Sequence, residues 1–104
     1  MFATIRRYDS VDEKRTQEIV KQLDASLVPK LSKLPGFRSY YLVDAGEGVI
    51  SSISLFDTNE HAAKSAEVAA QWVRDENFGP ALPNPPKVTT GEIVVEKTAE
   101  LVQA

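Results

Sequence analysis

The sequence contains no cysteine among its 104 residues. Disulfide bonds, iron–sulfur clusters, zinc sites built on thiolates and a cysteine nucleophile are therefore excluded. The absence fits a reducing compartment. In addition, Arg6 and Arg7 follow the short apolar N-terminal stretch, whereas a signal peptide carries its basic residues first. We therefore expect a cytoplasmic protein.

Long apolar runs and an excess of basic residues are also missing. No stretch approaches the roughly 20 apolar residues that cross a bilayer, so no membrane partner is expected. The net charge is −3, and lysine and arginine are spread along the chain. A basic stripe that could neutralise phosphates is absent, which argues against nucleic acid as a partner and against an RNA-recognition module.

Histidine occurs once, at position 61, so an all-histidine metal site is excluded. We expect no metal and no cofactor. A Ser-His-Asp triad has no local support, because the chain lacks a G-x-S-x-G nucleophile elbow. Arg6 or Arg7 could orient an anionic group, although arginines on strands often only pair with neighbouring acids.

The residues that are present predict one α+β domain over 1–104 with the order β-α-β-β-α-β. The predicted strands are 2–8, 37–43, 49–56 and 88–98, and the predicted helices are 11–31 and 60–74. Ser10 and Glu13 have capping-box spacing at the start of the first helix. Pro29 predicts a kink or a looser turn near Ser26. The segment 44–48 contains two glycines between two strands and predicts a hairpin.

The second predicted helix has one wide arc of small residues that can pack closely on a sheet. A separate line along the border of this arc could face a pocket between helix and sheet; it consists of His61, Ser65, Val68 and Trp72. Two interpretations stay open. Trp72 could be a core or interface anchor instead of a ligand platform, and His61 could simply be exposed in the first helical turn.

The predicted strands carry apolar residues on both faces. In the third strand Val49, Ile53 and Leu55 point one way, and Ile50 and Phe56 point the other way beside Ser52 and Ser54. In the second strand the pattern places Phe37, Tyr41 and Val43 opposite Tyr40 and Leu42. Two helices cover one face of a four-stranded sheet, so we expect a second copy of the chain to cover the other face.

Two passages resemble a known family. Residues 28–41 (VPKLSKLPGFRSYY) and residues 54–63 (SLFDTNEHAA), which lead to Ala69-Ala70-Gln71-Trp72-Val73, are similar to the antibiotic-biosynthesis-monooxygenase-like (ABM-like) group. The resemblance covers nearly the whole chain from Phe2 to Val95. It implies a ferredoxin-like, four-stranded antiparallel sheet with two helices on one face. Two such sheets would pack into a dimeric α/β barrel with a small pocket between helices and sheet.

Members of that group include cofactor-free oxygenases of aromatic polyketides and haem-degrading enzymes. The haem-degrading branch uses an Asn on the first strand, and on the second helix a Trp followed by a His. Here the first strand has Thr4 and Arg6, and His61 precedes Trp72, so haem degradation is not expected.

The resemblance and the helix border together predict a small-molecule site. His61 is the candidate catalytic residue, and the candidate ligand-binding residues are Trp72, Ser65, Val68, Tyr41, Ser52, Ser54 and Phe56. The first hypothesis is a cofactor-independent monooxygenase or isomerase, in which His61 accepts a proton from an electron-rich aromatic substrate. The alternative is a non-catalytic ligand-binding or stress-associated dimer. The expected partners are a second copy of the chain and a small aromatic ligand.

Overall fold

A computed structural model describes residues 1–99 of the chain. These residues form β1 (Phe2–Tyr8), α1 (Thr16–Gln22), α2 (Val28–Ser32), β2 (Phe37–Gly46), β3 (Val49–Phe56), α3 (Asn59–Asp75) and β4 (Lys87–Glu92). The predicted β-α-β-β-α-β order is confirmed, with the first helical region divided into α1 and α2. Among residues 1–99, no helix is long and apolar enough to cross a bilayer.

The four strands form one antiparallel sheet in the order β2-β3-β1-β4. Even-numbered residues of β3 are buried and its odd-numbered residues are only half-buried, because the helices cover one face of the sheet. β1 shows the same alternation from Thr4 to Tyr8. The architecture is the ferredoxin-like α+β fold that the resemblance implies.

The first helical region begins later than predicted. Ser10 adopts a left-handed backbone conformation (φ 53°) and therefore cannot start a helix. The amide of Val11 donates to the carbonyl of Gly48 (2.9 Å), which holds the chain on the β2–β3 hairpin. The cap is Asp12, whose carboxylate accepts a backbone N–H of the following short 3-10 turn. The predicted capping box of Ser10 and Glu13 is wrong.

A π-helical turn over Leu23–Leu27 joins α1 to α2. Pro29 has no N–H to offer the carbonyl of Ala25, so a regular α-helical ladder cannot run through this turn. The amide of Val28 instead donates to the carbonyl of Leu23, five residues earlier. The predicted looser turn near Ser26 is confirmed.

The hairpin between β2 and β3 is tight. Glu47 and Gly48 both have positive φ angles, 53° and 79°, as the central residues of a type I′ turn require. β2 therefore continues to Gly46 instead of ending at Val43. The predicted hairpin is confirmed with a shorter connection.

A bulge at the start of β2 changes which residues share a face. The register shifts just after Phe37, and Phe37 packs edge-on against Phe56 with ring centroids 5.7 Å apart. Phe37 thus lies on the helix-facing side with Tyr40. Its predicted grouping with Tyr41 and Val43 is wrong, because one extra residue in a strand reverses the alternation that follows.

The last strand is shorter than predicted. Phe2, the first residue of β1, pairs with Glu92, the last residue of β4, and the amide of Ile93 donates to the carbonyl of Met1 (2.8 Å). β4 thus ends level with Phe2, and Ile93 makes one further hydrogen bond without continuing the strand. The prediction of a strand over 88–98 is therefore wrong beyond Glu92.

Candidate functional site

A cavity lies between the helices and the covered face of the sheet. It contains about 30 Å³ of enclosed space, enough for one or two water molecules. Its walls are mostly apolar and aromatic, and they consist of Arg6, Tyr8, Ile19, Leu23, Leu27, Tyr40, Leu42, Ile50, Ser52, Ala69, Trp72, Val73 and Leu82. An apolar cavity with a few convergent polar groups is the usual form of a small-molecule site.

Among residues 1–99, Arg6 is the only charged side chain in this wall. It lies on β1 between Thr4 and Tyr8, and only 6% of it is exposed. Its Nη1 donates to the carbonyl of Ala66 in α3 (2.8 Å), and its Nη2 donates to the hydroxyl of Tyr8 (2.8 Å). These two bonds hold the guanidinium across the space between sheet and helix.

The neighbouring Arg7 points to the opposite face of β1, because side chains alternate along a strand. Arg7 is half-exposed and lies 3.6 Å from the carboxylate of Asp9. Of the two strand arginines, Arg7 has the acidic neighbour expected from the sequence and Arg6 has none among residues 1–99.

Tyr40 places a second polar group on the cavity. Burial raises the pKa of its hydroxyl to about 12, and this rise is opposed by a hydrogen bond with Ser52 and by the nearby charge of Arg6. At neutral pH the Tyr40 hydroxyl is therefore a neutral hydrogen-bonding group and a poor proton acceptor.

The raised pKa of Tyr40 predicts that the folded protein loses stability at alkaline pH. Tyr40 ionises near pH 10 in the unfolded chain and near pH 12 in the folded one, so its stabilising contribution is complete below pH 10 and is lost as the pH rises toward 12. We expect this ionisation to remove about 2–3 kcal/mol of folding free energy across that window. Urea unfolding at pH 9 to 12 checks it: the decline in stability should be flatter for Tyr40→Phe than for the unmodified protein. Equal pH slopes for the variant and the unmodified protein would contradict the assignment.

Trp72 forms the helix side of the cavity. It is 2% exposed, it packs against Phe78 with ring centroids 5.3 Å apart, and its Nε1 donates to the hydroxyl of Ser26 (3.0 Å). Ser26 belongs to the π-helical turn. The turn therefore has two roles. It accommodates Pro29, which lacks an N–H, and it places the Ser26 hydroxyl where this group accepts a hydrogen bond from the indole.

A larger open groove adjoins the cavity. Its volume is about 380 Å³, and it lies between α3 and the proline-rich segment that follows it. The groove shares Arg6, Tyr8, Val73 and Leu82 with the cavity, and its remaining walls are Ala70, Arg74, Gly79, Pro83, Asn84, Pro85 and Pro86. A ring-sized molecule needs this groove, because the enclosed cavity holds only water-sized groups.

Two of the residues predicted to bind a ligand, Trp72 and Ser52, line the cavity. Ser65 is buried beside it, and its hydroxyl donates to the carbonyl of Ala62 (2.6 Å), a bond within the helix. Tyr41 lies on the uncovered face of the sheet and is 56% exposed.

The other predicted ligand-binding residues also lie outside the cavity wall. Ser54 is buried under α3, Val68 packs on the edge of the core, and Phe56 is fully buried against Phe37. Only every second position of a strand faces the helices, so Ser54 and Phe56 share the correct face but lie nearer its end than Ser52 does.

His61 lies apart from the cavity, in the first turn of α3. Its Nδ1 is 2.6 Å from Oδ1 of Asp57, and this hydrogen bond is the main reason that the pKa of Asp57 is lowered. Gly36 packs against both side chains with a positive φ of 77°, and a Cβ there would overlap them. The hydrogen-bonded pair of His61 and Asp57 lies where the start of β2 meets the start of α3. Neither residue lines the cavity.

Tyr8 and Tyr40, two polar residues of the cavity wall, were not among the predicted site residues, and Arg6 was named only as one of two arginines that could orient an anionic group. A signal for them existed: each lies on the same strand face as apolar residues that must be buried, and polar residues on a buried face are uncommon. Within residues 1–99, no three His, Asp or Glu side chains are grouped to hold a metal ion.

Comparison with known proteins shows the fold. No protein-family model and no curated protein matches the chain. Solved structures do match: a candidate antibiotic biosynthesis monooxygenase from Nitrosomonas europaea has a TM-score of 0.71 at 16% identity, covering 91% of this chain and 100% of that one. The chain has the ABM-like fold.

Two further structures extend the comparison. A monooxygenase from Streptomyces coelicolor in complex with Nanaomycin D has a TM-score of 0.69 at 16% identity, covering 98% of this chain and 92% of that one. A dimeric ferredoxin-like protein from an uncultured marine organism has a TM-score of 0.71 at 19% identity, covering 95% and 92%. At these identities, the ABM-like fold is shared without a shared activity being shown.

Proposed function

We propose that this chain forms a homodimer and binds a small aromatic ligand between its helices and its sheet, with cofactor-independent oxygenation as its reaction. The observation that carries the proposal is the cavity wall, which combines Trp72, Tyr8 and Tyr40 with aliphatic residues and few polar groups. The adjoining groove supplies room for a ring. The Streptomyces coelicolor monooxygenase was solved with Nanaomycin D, which supports the view that this fold can hold a small molecule.

The reaction that suits such a site needs no reductant. A phenolic anthrone carries a CH₂ group that O₂ can convert to a carbonyl, with one oxygen atom entering the product and the other leaving as water. The contributions of this chain would be to exclude water with Trp72 and its neighbours and to hold a phenolic oxygen by hydrogen bonds from Tyr40 and Ser52.

Binding without turnover is the second candidate, and one observation favours it. No imidazole and no carboxylate lines the cavity or the groove in the described part of the chain. A general base within hydrogen-bond reach is therefore missing from the walls, and a substrate would have to lose its proton by another route.

The homodimer proposal rests on the uncovered face of the sheet. Ile5, Tyr41 and Val43 are 38%, 56% and 47% exposed there, and Ile53 pairs in register with both Ile5 and Tyr41. A contiguous apolar surface of this kind marks an interaction site. A twofold-related copy presents the same surface and would cover it, and the dimeric ferredoxin-like protein supports this arrangement.

Oxygen consumption with 1,8-dihydroxyanthrone tests the two candidates together. We expect uptake above the protein-free rate, one O₂ per anthraquinone formed and no hydrogen peroxide, and we expect Trp72→Phe to lower it while Val94→Ala does not. Binding without protein-dependent uptake, seen as a saturable shift of the indole N–H signal of the single tryptophan, would identify the non-catalytic alternative. Neither uptake nor binding would refute the proposed site.

A further inference from the structure

The guanidinium of Arg6 carries a buried charge that no carboxylate of residues 1–99 balances. Its partners are two neutral oxygens, of the Ala66 carbonyl and the Tyr8 hydroxyl, and it lies 5.8 Å from the centre of the Tyr8 ring. Buried charges in proteins are normally paired with an opposite charge, because neutral hydrogen bonds replace only part of the lost hydration.

The walls around Arg6 share this sign of charge. The groove contains one further ionic side chain, that of Arg74, and neither the groove nor the cavity contains an Asp or Glu among residues 1–99. The chain as a whole has a net charge of −3. The groove and cavity are therefore locally positive, although the chain as a whole has a negative net charge.

The position of Arg6 suits a group that enters from the groove. Arg6 lines both the open groove and the enclosed cavity, so its guanidinium lies where the two spaces meet. A guanidinium has five N–H donors in a planar fork that matches a carboxylate, and two hydrogen bonds to the protein leave donors for a ligand.

We propose that Arg6 anchors a carboxylate subsite, in which an aromatic carboxylate lies in the groove with its anionic group against the Arg6 guanidinium. This inference rests on the proposed function and specifies the class of its ligand. Arg74 lies on the same groove and would attract the anion during entry. The ligand would supply the negative charge that the protein does not.

Matched ligands test the proposal on the unmodified protein. 2-Naphthoate and 2-naphthamide have the same ring system and nearly the same shape, and they differ in charge. Titrations followed by the backbone amide signals of Ala70 and Val73, which line the groove, should give at least about tenfold tighter binding for the carboxylate, since a hydrogen bond to a charged group is stronger than a neutral one. Raising the salt concentration should reduce this preference.

Two variants test whether Arg6 causes the preference for the carboxylate. Arg6→Gln removes the charge and should abolish the difference between the two ligands. Arg7→Gln makes the same change at the neighbouring position, outside the groove, and should keep the difference. If Arg6→Gln does not fold, the affinities of the unmodified protein for the two ligands, and the effect of salt on them, still test whether the groove prefers a carboxylate.

The outcomes separate the two proposals. Equal affinities for naphthoate and naphthamide, or a preference that survives in Arg6→Gln, would overturn the carboxylate subsite and leave aromatic binding intact. Failure of both ligands to perturb the amide signals of Ala70 and Val73 at millimolar concentration would overturn the subsite and count against the proposed function as well.

Discussion

Replacing Trp72 by alanine is expected to lower the free energy of unfolding by about 3–5 kcal/mol, the usual cost of deleting a fully buried large aromatic side chain. The indole is almost completely buried, it packs on Phe78, and it spans from α3 to the π-helical turn through Ser26. Its loss would leave a void that the surrounding helices and sheet can fill only in part. Urea unfolding followed by far-ultraviolet circular dichroism measures the change without needing the tryptophan signal.

A second variant isolates the hydrogen bond of the indole, and a third serves as a surface control. Ser26→Ala removes the hydroxyl and leaves the indole N–H without that partner, for an expected loss of about 1–3 kcal/mol. Val94→Ala, at a residue that is 82% exposed, should change stability by less than about 0.5 kcal/mol. A loss below about 1 kcal/mol for Trp72→Ala would show that the indole is not the centre of the core.

Introducing glutamate at Ile53 is expected to convert the proposed homodimer to a monomer. Ile53 lies in the middle of the uncovered face, between Ile5 and Tyr41. A twofold axis would bring two glutamates into the interface at once. We expect the dissociation constant to rise more than about a hundredfold, in line with substitutions at the centre of an interface. Sedimentation at micromolar concentration should show about twice the chain mass for the unmodified protein and the single chain mass for the variant.

Val20→Glu is the matched control for this experiment. Val20 is as exposed as Ile5, but it lies on α1, on the other side of the sheet. It should leave the dimer intact. A monomeric unmodified protein, or an Ile53→Glu protein that remains dimeric, would exclude the uncovered face as the interface.

The order and type of the elements could be predicted because they depend on local patterns. Thr58 caps α3 by accepting a hydrogen bond from the amide of His61 (3.1 Å), as a threonine just before a helix commonly does. Pro29 disrupts the helix where its missing N–H requires. The misplaced elements depend on distant contacts: Val11 is held by Gly48, and the end of β4 at Glu92 lies opposite Phe2 of β1.

The candidate site was harder to predict, because a pocket depends on which side chains meet. The periodicity of α3 places His61 and Trp72 on one border of the helix, yet the helix is long enough that one lies at the Asp57 junction and the other at the cavity. The alternation of Tyr40 and Tyr41 was predicted, but the pattern alone did not show that Tyr40 faces the helices and Tyr41 the uncovered side. The bulge after Phe37 also places that residue on the same face as Tyr40.

The sequence by itself determined the class of fold and the absence of thiol chemistry, since these follow from composition and from the periodicity of the apolar residues. Only the tertiary structure decided how the two neighbouring arginines differ. Arg7 lies 3.6 Å from Asp9, two residues further along the chain, whereas Arg6 is enclosed by α3 and the sheet and has no acidic partner among residues 1–99. The physical reason is that the pair of Arg7 and Asp9 is local, whereas the burial of Arg6 and its bond to Ala66 depend on a helix far along the chain.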